Sequence, residues 1–247
     1  MLFELTEEEI LIRDTARAMA AEIAAPLAPI LDRGEGRETF LKNLKTFAEA
    51  GFMAVNVREA FGGTAAGTVA FALAIEELGY ACAATGVTAS VTNMVAEVIQ
   101  AVGNEEQKRA YIPRIADGTF PAGAFCLTEA GAGSDPAGMV TRARRDGDDF
   151  VLDGQKIYIT SADYAGIFVV WAVTNPDAPK GKGISCFLVE AGTPGLDGIT
   201  SSSALPPQTL LSRLRNSRTD RRRGSRRCAR RGPCWPLQMK KSRWVNR

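Results

Sequence analysis

Two short segments of the chain contain residue types that could hold a flat heteroaromatic ring. The first, residues 125–135, reads FCLTEAGAGSD and predicts a strand that runs into a glycine-rich turn. Glycine lets a ligand approach the backbone closely, and Thr128 and Ser134 add hydroxyl groups. The second, residues 156–161, reads KIYITS and predicts a strand that ends in an aromatic ring and two hydroxyls. Together the two segments predict a slot that binds a ring by its polar edge.

Other kinds of site fit the sequence less well. The first segment has neither the Gly-Lys-Ser/Thr of a phosphate loop nor a G-x-G-x-x-G that opens a helix. The chain has no histidine, which excludes Ser-His-Asp and Cys-His mechanisms within it and zinc sites that need imidazole. We expect no metal site. On spacing alone, the first segment could also be a glycine-rich turn that only joins two strands.

A helical domain over residues 1–118 is predicted to precede these segments. Thr6 and Glu9 have the spacing of a capping box at the start of the first helix, and Pro26 and Pro29 are expected to end it. The predicted helices carry apolar residues on more than one face, so several of them should be buried in an all-α unit. The later helices are predicted at about residues 38–50, 68–78, 84–102 and 105–110.

Short strands are predicted in a second domain, residues 119–200. Residues 146–148 and Asp153-Gly154 are typical of turns between strands. The strands are predicted at residues 122–127, 139–145, 155–160, 167–173 and 184–190. This spacing favours a small antiparallel sheet or barrel. Helices followed by strands predict an α+β fold.

The tail, residues 201–247, has a different composition. It contains 14 Lys and Arg against one acid, Asp220, whereas residues 1–200 contain 16 against 27 Asp and Glu. Like-charge repulsion and scattered prolines predict a disordered tail. Ten arginines in residues 213–231 leave open an alternative function, nucleic-acid binding through the tail.

The motifs resemble those of the FAD-dependent acyl-CoA dehydrogenases. Residues 127–135, LTEAGAGSD, are similar to the family's LTEPxAGSD, and residues 156–161 are similar to its K-x-W-I-T-N. Residues 58–63 and 75–79 are similar to a loop and a helix end of the same family. The resemblance covers residues 1 to about 200 and implies a helical N-terminal domain followed by a β domain, which is incomplete here.

The resemblance implies FAD as the cofactor and acyl-CoA as the substrate, with Ser134 close to both. Ala130 and Tyr158 replace the family's Pro and Trp, which loosens the turn and reduces the stacking surface. Glu129 and Asp135 could suggest an acid–base pair, but the resemblance implies that they are structural turn residues. The residues it implies at the flavin are Phe125, Leu127, Thr128, Gly133, Ser134, Tyr158, Ile159 and Thr160.

The family's reaction is α,β-dehydrogenation of an acyl-CoA thioester with hydride transfer to FAD, and an electron-transferring flavoprotein is the implied partner. The family's catalytic base is a Glu in a C-terminal helical domain that also forms the tetramer core, and nothing in residues 201–247 resembles that domain. We therefore expect no catalytic residue in this chain, impaired or absent activity, and no tetramer. The abrupt loss of resemblance suggests a frameshift near residue 201. A non-catalytic flavoprotein-like fragment and an acyl-CoA oxidase remain alternatives.

The cysteines and the first residues predict a cytoplasmic protein. The five cysteines lack the spacing of a disulfide framework. The acidic N-terminus resembles neither a secretory signal nor a mitochondrial presequence. No apolar run reaches the roughly 18 residues that a membrane span needs.

Overall fold

The computed structural model describes residues 4–147, 149–201, 210–218 and 235–236, with side chains up to residue 196. Helices come first and strands second, which confirms the α+β fold. The α-helices are α1 (Glu7–Met19), α2 (Ala28–Leu31), α3 (Arg37–Glu49), α4 (Gly67–Ala81), α5 (Ala83–Val102) and α6 (Glu105–Ala116).

The start of α1 agrees with the sequence, but the predicted end is wrong. Thr6 Oγ1 accepts from Glu9 N at 3.2 Å, and Glu9 Oε2 accepts from Thr6 N at 2.8 Å, which completes the capping box. The helical path then continues through a π turn and a 3-10 turn into α2, and reaches Leu31. Pro26 and Pro29 do not stop it because each lies in the first two positions of a new helical segment, where its missing N–H is not needed.

Helix α6 extends six residues beyond its predicted end. Asn104 and Gln107 cap its start reciprocally, and Pro113 lies inside it. A proline at this position removes one backbone hydrogen bond. Tyr111 and Ile115 on the same helix are buried, and this burial offsets the loss.

Helix α5 lies against the sheet as well as against other helices. Its Thr92 Oγ1 accepts a hydrogen bond from Gly123 N at 3.2 Å. A Cβ atom at Gly123 would lie 2.7 Å from Cβ of Val95, so only glycine permits this approach. The cluster of buried residues at this contact draws on helices and strands alike: Val95, Ile99, Ile112, Ile115, Ile167, Val169 and Leu188. The helical part and the sheet therefore share this hydrophobic cluster.

The strands are β1 (Gly123–Cys126), β2 (Arg142–Asp146), β3 (Asp149–Lys156), β4 (Ile167–Val173), β5 (Ile184–Glu190), β6 (Leu196–Ser201), β7 (Leu210–Arg218) and β8 (Trp235–Pro236). Their order in the sheet is β6-β7-β3-β2-β4-β5-β8, and β1 pairs with β4 outside this path. Strand β4 is parallel to both β1 and β2, while the other pairs are antiparallel. The sheet is therefore mixed at β4, where the sequence predicts antiparallel pairing.

Strand β3 differs from its prediction in two ways. Asp153-Gly154 is not a turn, because β3 continues through it with a register shift against β7. Gly154 is needed for close packing, since a Cβ atom there would lie 2.4 Å from Oγ1 of Thr141. The strand also ends at Lys156 rather than Thr160, because the backbone turns sharply after it.

Part of the predicted disordered tail has strand pairing. The backbone of β7 pairs with β3 and β6, and the short β8 pairs with β5. The pairing of β7 is a departure from the expected disorder, which composition alone suggested. Within residues 202–209, 219–234 and 237–247, the prediction of disorder lies outside the described residues.

Candidate functional site

The two segments that the sequence singles out lie side by side. The backbone N–H of Ile157 donates to the carbonyl oxygen of Thr128 at 2.9 Å. Next to it, Nζ of Lys156 donates to the carbonyl oxygen of Leu127 at 2.9 Å. The end of β3 is therefore fastened to the chain that leaves β1. The juxtaposition predicted for the slot is present.

A buried ion pair lies beneath this junction. Nζ of Lys156 is 2.7 Å from Oε1 of Glu129, and the two residues are 0% and 4% exposed. Glu129 also accepts hydrogen bonds from the backbone N–H of Val140, at 2.6 Å, and of Thr141, at 3.0 Å. Both carboxylate oxygens are thus occupied. Glu129 joins the turn to the end of β3 and to the residues just before β2, and these contacts favour a structural role over an acid–base role.

The environment of this pair shifts the pKa of both groups. Burial acts to raise the pKa of the Glu129 carboxyl, but hydrogen bonds from Lys156, Thr141 and Val140 together outweigh it and hold that pKa below its usual value. Burial lowers the pKa of the Lys156 ammonium, against the opposing effect of the Glu129 carboxylate. The carboxyl is therefore ionised at neutral pH, and the pair depends on its partners remaining in place.

Apolar surface for a ring is available at this junction. Phe125 and Leu127 are half-buried, and the ring centroids of Phe125 and Trp171 lie 6.0 Å apart. Tyr158 is 63% exposed, so it is not an ordinary core aromatic. Ile159 is only 1% exposed and packs into the sheet core. Of these residues, Ile159 could reach a bound ring only through its backbone.

Polar groups next to this surface are free to bind a ligand. Within the part of the chain whose side chains are described, no residue hydrogen-bonds to the hydroxyl of Thr128, Ser134 or Thr160. A Cβ atom at Gly131 or Gly133 would meet no other atom within 4 Å. The glycine turn therefore faces open space. Hydroxyl donors and exposed glycines beside aromatic surface fit the polar edge of a flat ring.

Sequence reasoning missed a cleft beside the glycine turn. Its volume is about 220 Å³. Arg142 and Lys180 contribute positive charge to its wall, and Lys180 forms an ion pair with Asp135 of the turn. The loop between β4 and β5, which reads NPDAPKGK over residues 175–182, supplies much of the lining. The Pro, Gly and Lys residues of this loop were the only indication in the sequence of a positively charged loop at this position.

The described residues also bear on metal binding and on membrane insertion. Among them, no group of three or more His, Cys, Asp or Glu side chains could hold a metal ion. No helix within the described residues combines the length and the apolar composition that a membrane span requires.

Two family models match the chain. The model for the acyl-CoA dehydrogenase N-terminal domain matches residues 6–119, and the model for the middle domain matches residues 124–207. A probable acyl-CoA dehydrogenase of Bacillus subtilis is 38% identical over 197 residues, which cover 79% of this chain and 51% of that protein. The chain spans about half the length of the curated relatives it matches.

Solved structures are also similar to this chain. One similar chain comes from a structure report on the electron transferring flavoprotein of Acidaminococcus fermentans. It superposes with a TM-score of 0.79 at 33% identity, and the match covers 88% of this chain and 57% of that one. A glutaryl-CoA dehydrogenase of Mycobacterium smegmatis in complex with FADH2 superposes with a TM-score of 0.72 at 30% identity, covering 87% and 54%.

Proposed function

The chain belongs to the acyl-CoA dehydrogenase family, and on this premise we propose that it binds FAD between residues 125–135 and residues 156–161. The observation that carries the proposal is the 2.9 Å hydrogen bond from Ile157 N to the carbonyl oxygen of Thr128. It brings the two family-like segments together, and the exposed Tyr158 ring and the hydroxyls of Thr128 and Thr160 belong to these same segments. The relative solved with FADH2 supports a flavin as the ring.

Each residue has a separate proposed role at the ring. The hydroxyls of Thr128 and Thr160 would donate to its polar edge. Phe125, Leu127 and Tyr158 would supply apolar contact, and Ile159 would contribute through its backbone. Gly133 and Ser134 would lie where the flavin and the substrate approach one another. The cofactor-binding set is thus Phe125, Leu127, Thr128, Gly133, Ser134, Tyr158, Ile159 and Thr160.

We propose an acyl-CoA thioester as the substrate. Ser134 is exposed on the glycine turn, and the cleft beside that turn is lined by Arg142 and Lys180. Cationic side chains at this position would favour the phosphate groups of coenzyme A. The names of the relatives, which are acyl-CoA dehydrogenases, support the same substrate class.

The proposed reaction is α,β-dehydrogenation. A bound flavin supplies the acceptor for the hydride that leaves the β carbon. The residues of this chain would orient the ring, and the Thr128 and Thr160 hydroxyls would stabilise negative charge that develops on its polar edge. The base that removes the α proton is not assigned to any residue of this chain. We therefore propose that residues 1–247 bind the flavin without completing turnover, and that an electron-transferring flavoprotein is the partner.

Reconstitution with FAD tests the proposal. We expect the purified chain to retain FAD, seen as the visible flavin absorption bands, and the T128V variant to bind it about tenfold more weakly. A hydrogen bond to a group that carries charge contributes roughly 1.5 kcal/mol, which corresponds to that factor. T15V is the matched control, because Thr15 is an exposed residue of α1 far along the chain from the slot.

Two outcomes would contradict the proposal. A folded chain that retains no FAD at micromolar concentrations would remove the flavin site, and equal affinity in T128V and T15V would remove the role of Thr128. Dye reduction with butyryl-CoA or octanoyl-CoA tests turnover separately. We expect none from residues 1–247, so reduction at rates usual for an enzyme would overturn the statement on activity.

A further inference from the structure

The turn that follows β3 has an unfavourable backbone conformation. Tyr158 and Ser161 have positive φ angles of 57° and 65°, and neither is glycine. This left-handed region is disfavoured for residues with a Cβ atom. Thr160 lies between them in the sequence. Contacts with the rest of the molecule must therefore maintain the turn, residues 157–161.

Tyr164 makes the contacts that close this turn. Its backbone N–H donates to the carbonyl oxygen of Ser161 at 3.0 Å, and the N–H of Ala165 donates to the same oxygen at 2.7 Å. The Ser161 hydroxyl donates to the Tyr164 hydroxyl at 3.1 Å. The Tyr164 hydroxyl in turn lies 2.9 Å from Oγ1 of Thr88. A side-chain network thus joins Ser161 to helix α5.

The ring of Tyr164 is itself held in place by helix α3. The Tyr164 and Phe40 rings form an edge-to-face pair with a centroid distance of 5.8 Å and an interplanar angle of 87°. The guanidinium of Arg37 lies 5.6 Å from the Tyr164 ring centroid and also forms an ion pair with Asp163. Arg37 donates a further hydrogen bond to the carbonyl oxygen of Asp163 at 3.0 Å. The hydroxyl of Tyr164 is therefore presented in a fixed position.

The turn is anchored at both ends. Ile157 is fixed to Thr128 at one end, and Ser161 is fixed through Tyr164 to Thr88 at the other. We propose that Tyr164 is a positioning residue for flavin binding, which holds the turn in the left-handed shape that presents Tyr158 and Thr160 to the ring. This inference rests on the proposed function, but its structural part concerns the flavin-free chain.

The Y164F variant tests the role of the hydroxyl. Burial raises the pKa of the Tyr164 hydroxyl, so in the wild type this group remains a proton donor near neutral pH. In Y164F, we expect the backbone amides at positions 164 and 165 to exchange hydrogen with water at least about fivefold faster than in the wild type, both measured in the flavin-free chain. We expect the dissociation constant for FAD to rise by a similar factor, as the loss of one ordinary hydrogen bond implies. The visible flavin bands should also lose fine structure, because the ring is held less rigidly.

Two further variants make the test specific. Y80F is the matched control, because the Tyr80 side chain is 92% exposed, and we expect both measurements to stay at wild-type values. T88V removes the partner of the Tyr164 hydroxyl from the α5 side and should reproduce the Y164F result, so a folding defect of one variant does not decide the outcome.

The exchange and affinity measurements test the positioning role of Tyr164 separately from the proposed FAD site. Unchanged amide exchange in both Y164F and T88V would overturn the positioning role. Faster exchange with wild-type affinity for FAD would also overturn it, since the turn would then not matter for binding. If the wild-type chain binds no FAD at all, the proposed function fails, while the exchange data still show whether Tyr164 holds the turn.

Discussion

Replacing Lys156 by methionine tests whether the buried ion pair holds the two site segments together. Methionine keeps much of the length and apolar volume of the side chain but removes the charge. The variant leaves the Glu129 carboxylate, which is 4% exposed, without its counter-charge. It also leaves the carbonyl oxygen of Leu127 without the ammonium donor.

The expected loss of stability follows from these contacts. Breaking a buried pair by removing one partner costs about 3–5 kcal/mol, because the other charge stays buried. Two backbone N–H groups, of Val140 and Thr141, still donate to Glu129 in the variant. We therefore expect K156M to lose about 3 kcal/mol of unfolding free energy, near the lower end of that range. In E129Q, Lys156 can still donate to the carbonyl oxygen of Leu127, and we expect this variant to lose about 1–3 kcal/mol of unfolding free energy.

Urea unfolding of the flavin-free chain, followed by circular dichroism, measures these losses. The double variant E129Q/K156M should lose less than the sum of the two single variants, because both remove the same interaction. K180M is the matched control: Lys180 also pairs with a carboxylate, that of Asp135, but both side chains are exposed. We expect no measurable loss there. If K156M is no less stable than K180M, the reasoning about the buried pair is refuted.

Three further outcomes are expected. The stabilisation from Glu129 is present above the pKa of a glutamate in the unfolded chain, about 4.3, and is lost as the pH falls through the lower pKa of the folded state. Acid unfolding should therefore be less steep in E129Q, and identical steepness would count against this assignment. G123A should destabilise the chain by about 1–3 kcal/mol through overlap with Val95, whereas G131A, which faces open space, should not; equal urea midpoints would disprove the close approach. Burial raises the pKa of the Cys126 thiol to about 12, so peptide mapping after iodoacetamide at pH 8 should show Cys126 unmodified until the chain unfolds, and rapid labelling in the folded state would contradict its burial.

The sequence predicted the arrangement of the site better than its local geometry. The helix start at Thr6 follows from side-chain capping, which is a local effect. The meeting of residues 125–135 with residues 156–161 followed from the resemblance and from the strand patterns on either side. The general order of helices and strands could therefore be obtained without coordinates.

Other features depend on contacts between distant residues. The positive φ angle of Ser161 has no glycine to indicate it in the sequence, and the hydroxyl network beside it extends through Tyr164 to Thr88, 76 positions from Tyr164 in the chain. Asp153-Gly154 has the composition of a turn, but its glycine is required by the approach of Thr141 across the sheet. Likewise, the pairing of Lys156 with Glu129 joins residues 27 positions apart, and no periodic pattern indicates it.

The common core between α5, α6 and the sheet has a consequence for how the molecule is assembled. Val95 and Ile112 on the helical side pack into the same cluster as Ile167 and Leu188 on the sheet side. Separating the chain near residue 119 would expose an apolar surface on each of the two fragments. Autonomous refolding of either half is therefore not expected, and cleavage there should produce two insoluble products rather than two working modules.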